Sequence, residues 1–130
     1  MMRVVLLAVL CSLLLACGDE QAVRLGPQQW EGITFIVESR PSPIRVGMNE
    51  FIVIATREHS KPGVGLVVSL RADPQDDWHQ AIQDGFTGVY RRAVRVSDPQ
   101  TESLAVHLRR GHEAETTLYF PLAPKGNPEG

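Results

Sequence analysis

Hydrophobic and polar side chains alternate with a period of two over most of the chain after residue 32. Ile33, Phe35 and Val37 therefore share one face of an extended segment, because successive side chains of a strand point to opposite faces. Residues 51–55, with the sequence FIVIA, are apolar on both faces, which is typical of a central strand. Further alternating segments, each bounded by turn residues, lie at 66–70, 86–96, 103–109 and 115–122.

Prolines and turn residues divide these segments. Residues 40–43, with the sequence RPSP, interrupt strand pairing because proline has no N–H to donate to a neighbouring strand. The extended pattern resumes briefly at 44–46, and we expect residues 47–49 to turn the chain. Asp-Pro-Gln occurs twice, beginning at Asp73 and at Asp98, and predicts a type I turn at each place.

One segment breaks the period of two. Asp77 and Gln80 have the spacing of a capping box, in which each side chain bonds the backbone N–H of the other residue. Trp78 and Ile82 are four residues apart and would share one face of a helix. Gly85 is a suitable residue to end it. The pattern predicts a helix of two turns that crosses between two sheets.

The number and spacing of the strands predict the fold class. Seven or eight short strands with almost no helix are typical of an all-β domain. We expect an antiparallel immunoglobulin-like two-sheet sandwich with one short crossover helix. A β-barrel is the alternative, because the pattern leaves the strand connectivity open.

The first 17 residues have the pattern of a secretory signal peptide. Arg3 gives a positive start, and the apolar run after it is shorter than the roughly 20 residues that a membrane-spanning helix needs. Residues 14–17, LLAC, resemble the bacterial lipobox, in which the thiol of the cysteine, here Cys17, receives a diacylglycerol. The alternative is a buried N-terminal helix with Cys11 and Cys17 in the core. The abrupt polar sequence that follows favours a processing boundary.

This boundary predicts how the chain is organised. We expect, in order, a signal peptide that is removed (1–17), a flexible tether (18–31), a β-sandwich domain (32–123) and a disordered tail (124–130). Acyl chains on Cys17 would hold the protein on a membrane, since each buried CH₂ contributes about 0.8 kcal/mol. Gly18 follows, rather than the aspartate that marks inner-membrane retention. We therefore expect the periplasmic face of the outer membrane rather than the inner membrane.

The net charge limits the classes of partner, and the cysteine content limits how the fold can be stabilised. Without residues 1–17 the chain has 13 − 1 = 12 basic residues and 15 acidic ones, a net charge of −3. Nucleic-acid binding relies on basic patches that neutralise phosphates, so we expect no nucleic-acid partner. Removal of Cys11 and acylation of Cys17 leave no thiol for a disulfide, so stability must come from packing.

Several short motifs occur in an order that resembles the YtkA-like and FixH-like periplasmic domains of bacteria. They are the Pro-x-Pro break at 41–43, Gly47-x-Asn49 opening a strand, Lys61-Pro62, and Gly88-x-Tyr90. The resemblance covers residues 33–122. It implies a small immunoglobulin-like sandwich at the bacterial envelope, where some such domains take part in copper handling or respiratory-oxidase assembly. The Met and His residues that YtkA-like chains often carry in the crossover region are replaced here by DPQDDWH at 73–79.

The metal-ligating side chains are few. Copper(I) prefers thioether and thiolate ligands and also accepts imidazole, and Met48 is the only thioether of the mature chain. The four histidines, which lack the spacing of a metal-binding motif, are His59, His79, His107 and His112. We therefore predict no metal site and no cofactor. Copper handling or oxidase assembly is kept as the alternative function.

His107 also has a simpler interpretation. If residues 110–112 form a three-residue hairpin loop with Gly111 in the left-handed conformation, then His107 faces Glu115 across two strands. Cross-strand charge pairs of this kind contribute roughly 0.2–1 kcal/mol, which is sufficient reason for a histidine at this position.

The remaining candidates predict a surface for a protein partner, formed by Trp78, His79, Arg91, Arg92 and Arg95. The simpler alternatives are that Trp78 packs with Ile82 against the sandwich and that Arg91 and Arg95 share a solvated sheet face, with Arg92 on the other side of the strand at its margin. The sequence contains neither a nucleophile elbow nor a phosphate-binding glycine loop. We therefore expect a non-enzymatic, lipid-anchored accessory module that binds another envelope protein.

Overall fold

The computed structural model describes residues 23–124, so the predictions for residues 1–22 and 125–130 lie outside the described residues. The described chain forms ten β-strands, a single 3-10 turn at Glu58–Ser60, and no α-helix. In chain order the strands are β1 (Arg24–Trp30), β2 (Ile33–Arg40), β3 (Gly47–Arg57), β4 (Lys61–Pro62), β5 (Val67–Arg71), β6 (His79–Gln80), β7 (Ile82–Gln83), β8 (Val89–Val96), β9 (Ser103–Arg110) and β10 (Ala114–Pro121).

Two antiparallel sheets pack face to face as an immunoglobulin-like sandwich, as the alternation predicts. Sheet I has the order β1-β2-β3-β8-β7, and β4 pairs with the far end of β3. Sheet II has the order β10-β9-β5-β6. Seven of the ten described strands have five or more residues and the other three have two each, which agrees with the seven or eight strands expected.

The inner faces of the two sheets form one core. Phe35, Phe51 and Tyr90 of sheet I pack in the same cluster as Leu104 and Phe120 of sheet II, and all five are at most 1% exposed. Burial of a large apolar side chain stabilises a fold by about 1.5–3 kcal/mol. The period of two along β2, whose inward residues are all buried, is therefore what selects the inner face.

The described chain begins and ends at the same end of the sandwich. Val23, Ile44, Gln100 and Pro124 all line one pocket there, and Gly47 at the start of β3 pairs with the last residue of β8. We call this the terminal end; it is formed by residues 23–24, 40–47, 73–76, 97–102 and 122–124. The turn between β7 and β8 lies at the opposite end.

The first strand lies inside the segment predicted to be a tether. β1 pairs with β2 along its length, with an irregularity between Leu25 and Gln28. Leu25 and Trp30 pack against the core. The tether prediction is therefore wrong for residues 24–30, and the folded domain begins before residue 32. The polar local sequence does not reveal this strand because its hydrogen-bond partners belong to the backbone of β2.

The predicted crossover helix is extended chain instead. β6 pairs with β5 of sheet II, β7 pairs with β8 of sheet I, and the buried Ala81 between them marks the change of sheet. The prediction of a helix with an Asp77 cap is wrong, although the chain does cross between sheets here. Both sheets offer strand edges at this place; for example, Ala81 N–H donates to Val68 O at 2.7 Å. Extended backbone satisfies those edges, whereas a helix would leave them unpaired.

Gly88 and Tyr90 hold the start of β8 against the neighbouring chain. Gly88 has a φ of +77°, and a Cβ there would lie 2.5 Å from Ala55 O. Its carbonyl accepts a hydrogen bond from Ala55 N–H at 2.8 Å. Tyr90 Oη donates to Gly63 O at 3.0 Å. Burial raises the pKa of the Tyr90 hydroxyl above its ordinary value of 10.0, while a backbone hydrogen bond with Leu66 acts in the opposite direction.

The loop between β2 and β3 differs from its prediction. The proline break at 40–43 does end β2, but residues 44–46 are not a strand and β3 begins at Gly47, so residues 47–49 do not turn. The cause is the buried side chain of Asn49. Its Oδ1 accepts Arg45 N–H at 3.1 Å, and its Nδ2 donates to the carbonyls of Arg45 and Gly47 at 2.7 and 3.0 Å. These bonds hold the turn before Gly47, so that residues 47–49 belong to β3 and not to the turn.

Candidate functional site

The five residues of the predicted partner surface do not form one continuous surface. Trp78 and His79 lie beside sheet II, and the three arginines are all in β8 of sheet I. Arg91 and Arg95 are on the outer side of β8, as predicted. Arg92 lies on the inward side of the same strand and is half-buried at its margin. The crossing of the chain at Ala81 separates the two groups, because it moves the chain from one sheet to the other.

Trp78 packs on the outer face of sheet II rather than on Ile82. The guanidinium carbon of Arg71 lies 4.3 Å from the centroid of the Trp78 ring, and the ring centroid of His107 is 5.8 Å away. A cation over an indole face contributes about 0.5–1 kcal/mol at an exposed site. Trp78 remains 39% exposed, whereas Ile82 is 67% exposed on sheet I. The tryptophan therefore has a packing role on a different sheet from the one expected.

His79 pairs with an aspartate of the preceding loop. His79 Nε2 lies 3.1 Å from Asp76 Oδ2, and Asp76 Oδ1 accepts the N–H of Asp77 at 2.9 Å. Asp76, and not Asp77, is thus the acidic residue that organises this segment. The pair of side chains fixes the entry into β6.

The β9–β10 hairpin has a register that differs from the prediction by two residues. The loop contains residues 111–113, so His107 lies opposite Thr117 and Arg109 lies opposite Glu115. Gly111 has a left-handed φ of +58°, but as the first residue of this loop and not as the middle residue of a 110–112 loop. His107 Nε2 still approaches Glu115 Oε2, at 3.5 Å, but as a diagonal rather than a direct cross-strand pair.

A groove on sheet I, which lies over the outer face of β3, β7 and β8 and reaches the margin of β8 at Arg92, has the composition of a protein interface. It encloses about 640 Å³ and is lined by Met48, Glu50, Ile82, Gln83, Asp84, Arg91, Arg92 and Ala93. Met48 and Ile82 are 60% and 67% exposed. Arg91 pairs with Asp84 at 3.4 Å and approaches Glu50 at 3.9 Å. Methionine and arginine are enriched in interfaces, where an apolar centre is surrounded by polar groups.

An open strand edge runs beside this groove. β7 pairs only with Tyr90 and Arg91, so residues 92–96 of β8 have a partner strand on the β3 side alone. The backbone N–H and C=O groups of such an edge can bind an added strand. Arg92 stands at the beginning of this edge, and its guanidinium forms no ion pair with a carboxylate of residues 23–124.

The groove includes two of the predicted arginines, but sequence reasoning missed its apolar residues. In the sequence, Met48 stands out only as a thioether, and the helical pattern predicts that Ile82 packs inward with Trp78. The alternation of Gln80, Ala81 and Ile82, interpreted as extended chain, would have placed Ala81 inside and Ile82 outside. The helical interpretation of the segment concealed that signal.

The described residues contain no group of three or more His, Cys, Asp or Glu side chains that could hold a metal ion. The side chains of His59 and His112 are exposed in separate loops. Cys17, the predicted site of lipid attachment, lies outside the described residues. Within residues 23–124 no helix is long and apolar enough to cross a membrane.

The fold and the groove together define a small antiparallel β-sandwich in which the groove lies beside the open edge of β8 at residues 92–96. Comparisons with protein families, with curated proteins and with solved structures found no match for the chain. The resemblance to YtkA-like and FixH-like domains therefore stays a prediction that rests on the sequence motifs.

Proposed function

We propose that the protein is a non-enzymatic accessory module, anchored by lipid on Cys17 to the periplasmic face of the bacterial outer membrane, whose sandwich binds another envelope protein. The observation that carries the binding role is the groove of sheet I beside the open edge of β8. The anchor is supported by the lipobox-like sequence at 14–17.

The geometry favours an extended segment of the partner. Such a segment can add a strand along residues 92–96, because main-chain hydrogen bonds to an open edge give affinity with little dependence on sequence. Exposed Met48 and Ile82 offer apolar contacts on the same face. Arg92, which has no carboxylate partner among the described residues, offers a charge-assisted hydrogen bond to an acidic side chain. The partner segment is therefore expected to combine apolar and acidic residues.

Site-specific photocrosslinking in the bacterium tests this surface. A photoreactive amino acid replaces Ile82 in one variant and Tyr119 in a matched control. The two positions are 67% and 60% exposed, but Tyr119 lies on the outer face of sheet II. We expect one defined protein adduct from position 82 and none from position 119. We also expect Arg92→Gln to weaken the adduct. Equal adducts from both positions, or no adduct from position 82, would reject the groove.

The anchor is tested separately. Mass spectrometry of the mature protein should show an acylated Cys17 as its first residue, and Cys17→Ser should leave the precursor uncleaved and unlipidated. Normal maturation and membrane retention of Cys17→Ser would show that the anchor is wrong. The copper-handling alternative remains a prediction, and no observation on residues 23–124 favours it over protein binding.

A further inference from the structure

The loop between β2 and β3 presents apolar and basic side chains at the terminal end of the sandwich. Val46 is 69% exposed, and Met48 just beyond it is 60% exposed. Arg40 is the last residue of β2 and Arg45 lies in the loop; both are exposed and form no ion pair with a carboxylate in the described part of the chain. Exposed Val46 next to these cations forms a small amphipathic surface, whereas Met48 lines the sheet I groove.

Tertiary structure holds this loop in position. The side chain of Asn49 is only 1% exposed, and it bonds the backbone on both sides of Val46, at Arg45 and at Gly47. Because these bonds fix the backbone, the Val46 side chain cannot turn back into the core. Its exposure is therefore built into the fold.

The number of residues between Cys17 and Val23 limits how far this surface can lie from the membrane. Six residue steps separate Cys17 from Val23, and a fully extended chain covers at most about 3.6 Å per residue, or roughly 22 Å in total. Val23 and the loop residues Pro43 and Ile44 line the same pocket. An acyl group on Cys17 thus keeps the terminal end near the bilayer. Phe86, at the other end of β8, lies about one strand length farther away, roughly 25 Å.

We propose that the surface formed by Arg40, Arg45 and Val46 docks on an anionic phospholipid bilayer. The Val46 side chain enters the interfacial region, and the two guanidinium groups bind headgroup phosphates. The prolines at positions 41 and 43 suit such a contact, because they have no backbone N–H that would lose water there. The proposal rests on the lipid anchor of the proposed function, and it adds that the sandwich has a fixed orientation on the membrane. In this orientation the opening of the sheet I groove points parallel to the membrane plane and not toward the lipid.

Fluorescence of the full mature lipoprotein in vesicles tests this docking. Since the mature chain has no free thiol when Cys17 is acylated, Val46→Cys gives a single site for an environment-sensitive dye such as NBD. Phe86→Cys is the matched control, since Phe86 is 83% exposed at the far end of the sandwich. The vesicles contain phosphatidylcholine alone or with phosphatidylglycerol. Nitroxide-labelled lipids serve as quenchers.

We expect the dye at position 46 to shift to the blue and to be quenched in the anionic vesicles, and the dye at position 86 to remain in water. Arg40→Gln with Arg45→Gln should lower the ratio of docked to undocked protein roughly 25-fold, about fivefold for each charge near an anionic surface. High salt should act in the same direction.

Three results would overturn the proposal: a water-like spectrum at position 46 in the lipidated protein, equal quenching at positions 46 and 86, or the same shift without phosphatidylglycerol. A shift at position 46 that requires a second protein instead of vesicles would also overturn it. Mass spectrometry on the same sample separates the two proposals. If Cys17 carries no acyl chains, the proposed function fails; if it does and position 46 stays in water, only the docking fails.

Discussion

The Ser97 hydroxyl donates a hydrogen bond to Asp73 Oδ2 at 2.9 Å and so joins the two Asp-Pro-Gln turns at the terminal end. Within each turn the aspartate accepts the backbone N–H two residues later, that of Gln75 in the first and that of Gln100 in the second, both at 2.9 Å. In both turns the N–H of residue i+3 also donates to the C=O of residue i, the bond that is common in type I turns. The turn prediction is confirmed, and the bond between the turns links sheet I to sheet II.

The hydrogen bonds to Asp73 predict that the free energy of unfolding depends on pH in the acidic range. The Gln75 N–H and then the Ser97 hydroxyl lower the pKa of Asp73 from its ordinary 3.8; loss of solvent around the carboxyl opposes them, and the nearby Arg95 has the smallest, lowering effect. A lowered folded-state pKa means that the contribution is fully present above about pH 3.8 and is lost as the pH falls through the lower folded value. We expect Ser97→Ala to reduce this contribution. Urea unfolding at several pH values measures it, with Asp73→Asn as the variant that lacks it altogether.

Gly88→Ala should destabilise the sandwich by about 2–4 kcal/mol, because the added Cβ meets Ala55 O at 2.5 Å and the residue has a positive φ. Gly85→Ala is the matched control. Gly85 has a φ of +58° but no atom within 4 Å of its Cβ position, so only the backbone strain of about 1–2 kcal/mol applies. Equal losses in chemical denaturation would show that the close approach to β3 is not tight.

Tyr90→Phe removes the donor to Gly63 O and leaves a buried carbonyl without its partner, so we expect a loss of about 1–2 kcal/mol at neutral pH. The pKa of Tyr90 is raised in the folded state. Its contribution is therefore present below the unfolded value of 10.0 and is lost as the pH rises through the higher folded value. Alkaline unfolding should be less steep in the Phe variant, and an unchanged profile would contradict the assignment.

Trp78→Ala should lower the free energy of unfolding by about 1–2 kcal/mol, because a partly buried ring and its contact with Arg71 are lost. Arg71→Gln removes only the cation over the ring and should cost about 0.5–1 kcal/mol. Trp30, which packs against the core, reports unfolding in both variants.

If the sheet I groove is the partner surface, photocrosslinking through position 82 should be unaffected by Trp78→Ala. Loss of the adduct in a folded Trp78→Ala variant would indicate that sheet II takes part.

Copper binding provides the test of the alternative function. The described histidines do not form a cluster with other ligands, so titration of the full mature protein with Cu(I) and Cu(II) should show no site tighter than micromolar. A tight site that disappears in His79→Asn or His107→Asn would favour the metal-handling alternative over the protein-binding role.

The predicted partner surface shows which spatial relationships the sequence pattern can predict and which it cannot. Arg91 and Arg95 were correctly assigned to one outer face of a strand, because that relationship depends only on residues two and four positions apart. Their separation from Trp78 depends on which sheet edge each half of residues 79–83 meets. Those edges are supplied by β5 of sheet II and β8 of sheet I, and the local pattern does not say that these two strands belong to different sheets. The same local sequence is compatible with a capped helix and with an extended segment that changes sheet. The extended form is adopted here because it pairs with the strand edges of β5 and β8.

The sequence by itself determined the all-β class, the positions of most long strands and the two Asp-Pro-Gln turns, since each follows from side-chain alternation or from the local conformational preference of a few residues. Only the tertiary structure decided that residues 24–30 are a strand, that residues 79–83 change sheets, and that Asn49 holds Val46 outward. In all three cases the deciding hydrogen bonds or burial depend on how the assembled chain pairs and packs, which the hydrophobic pattern of the segment does not contain.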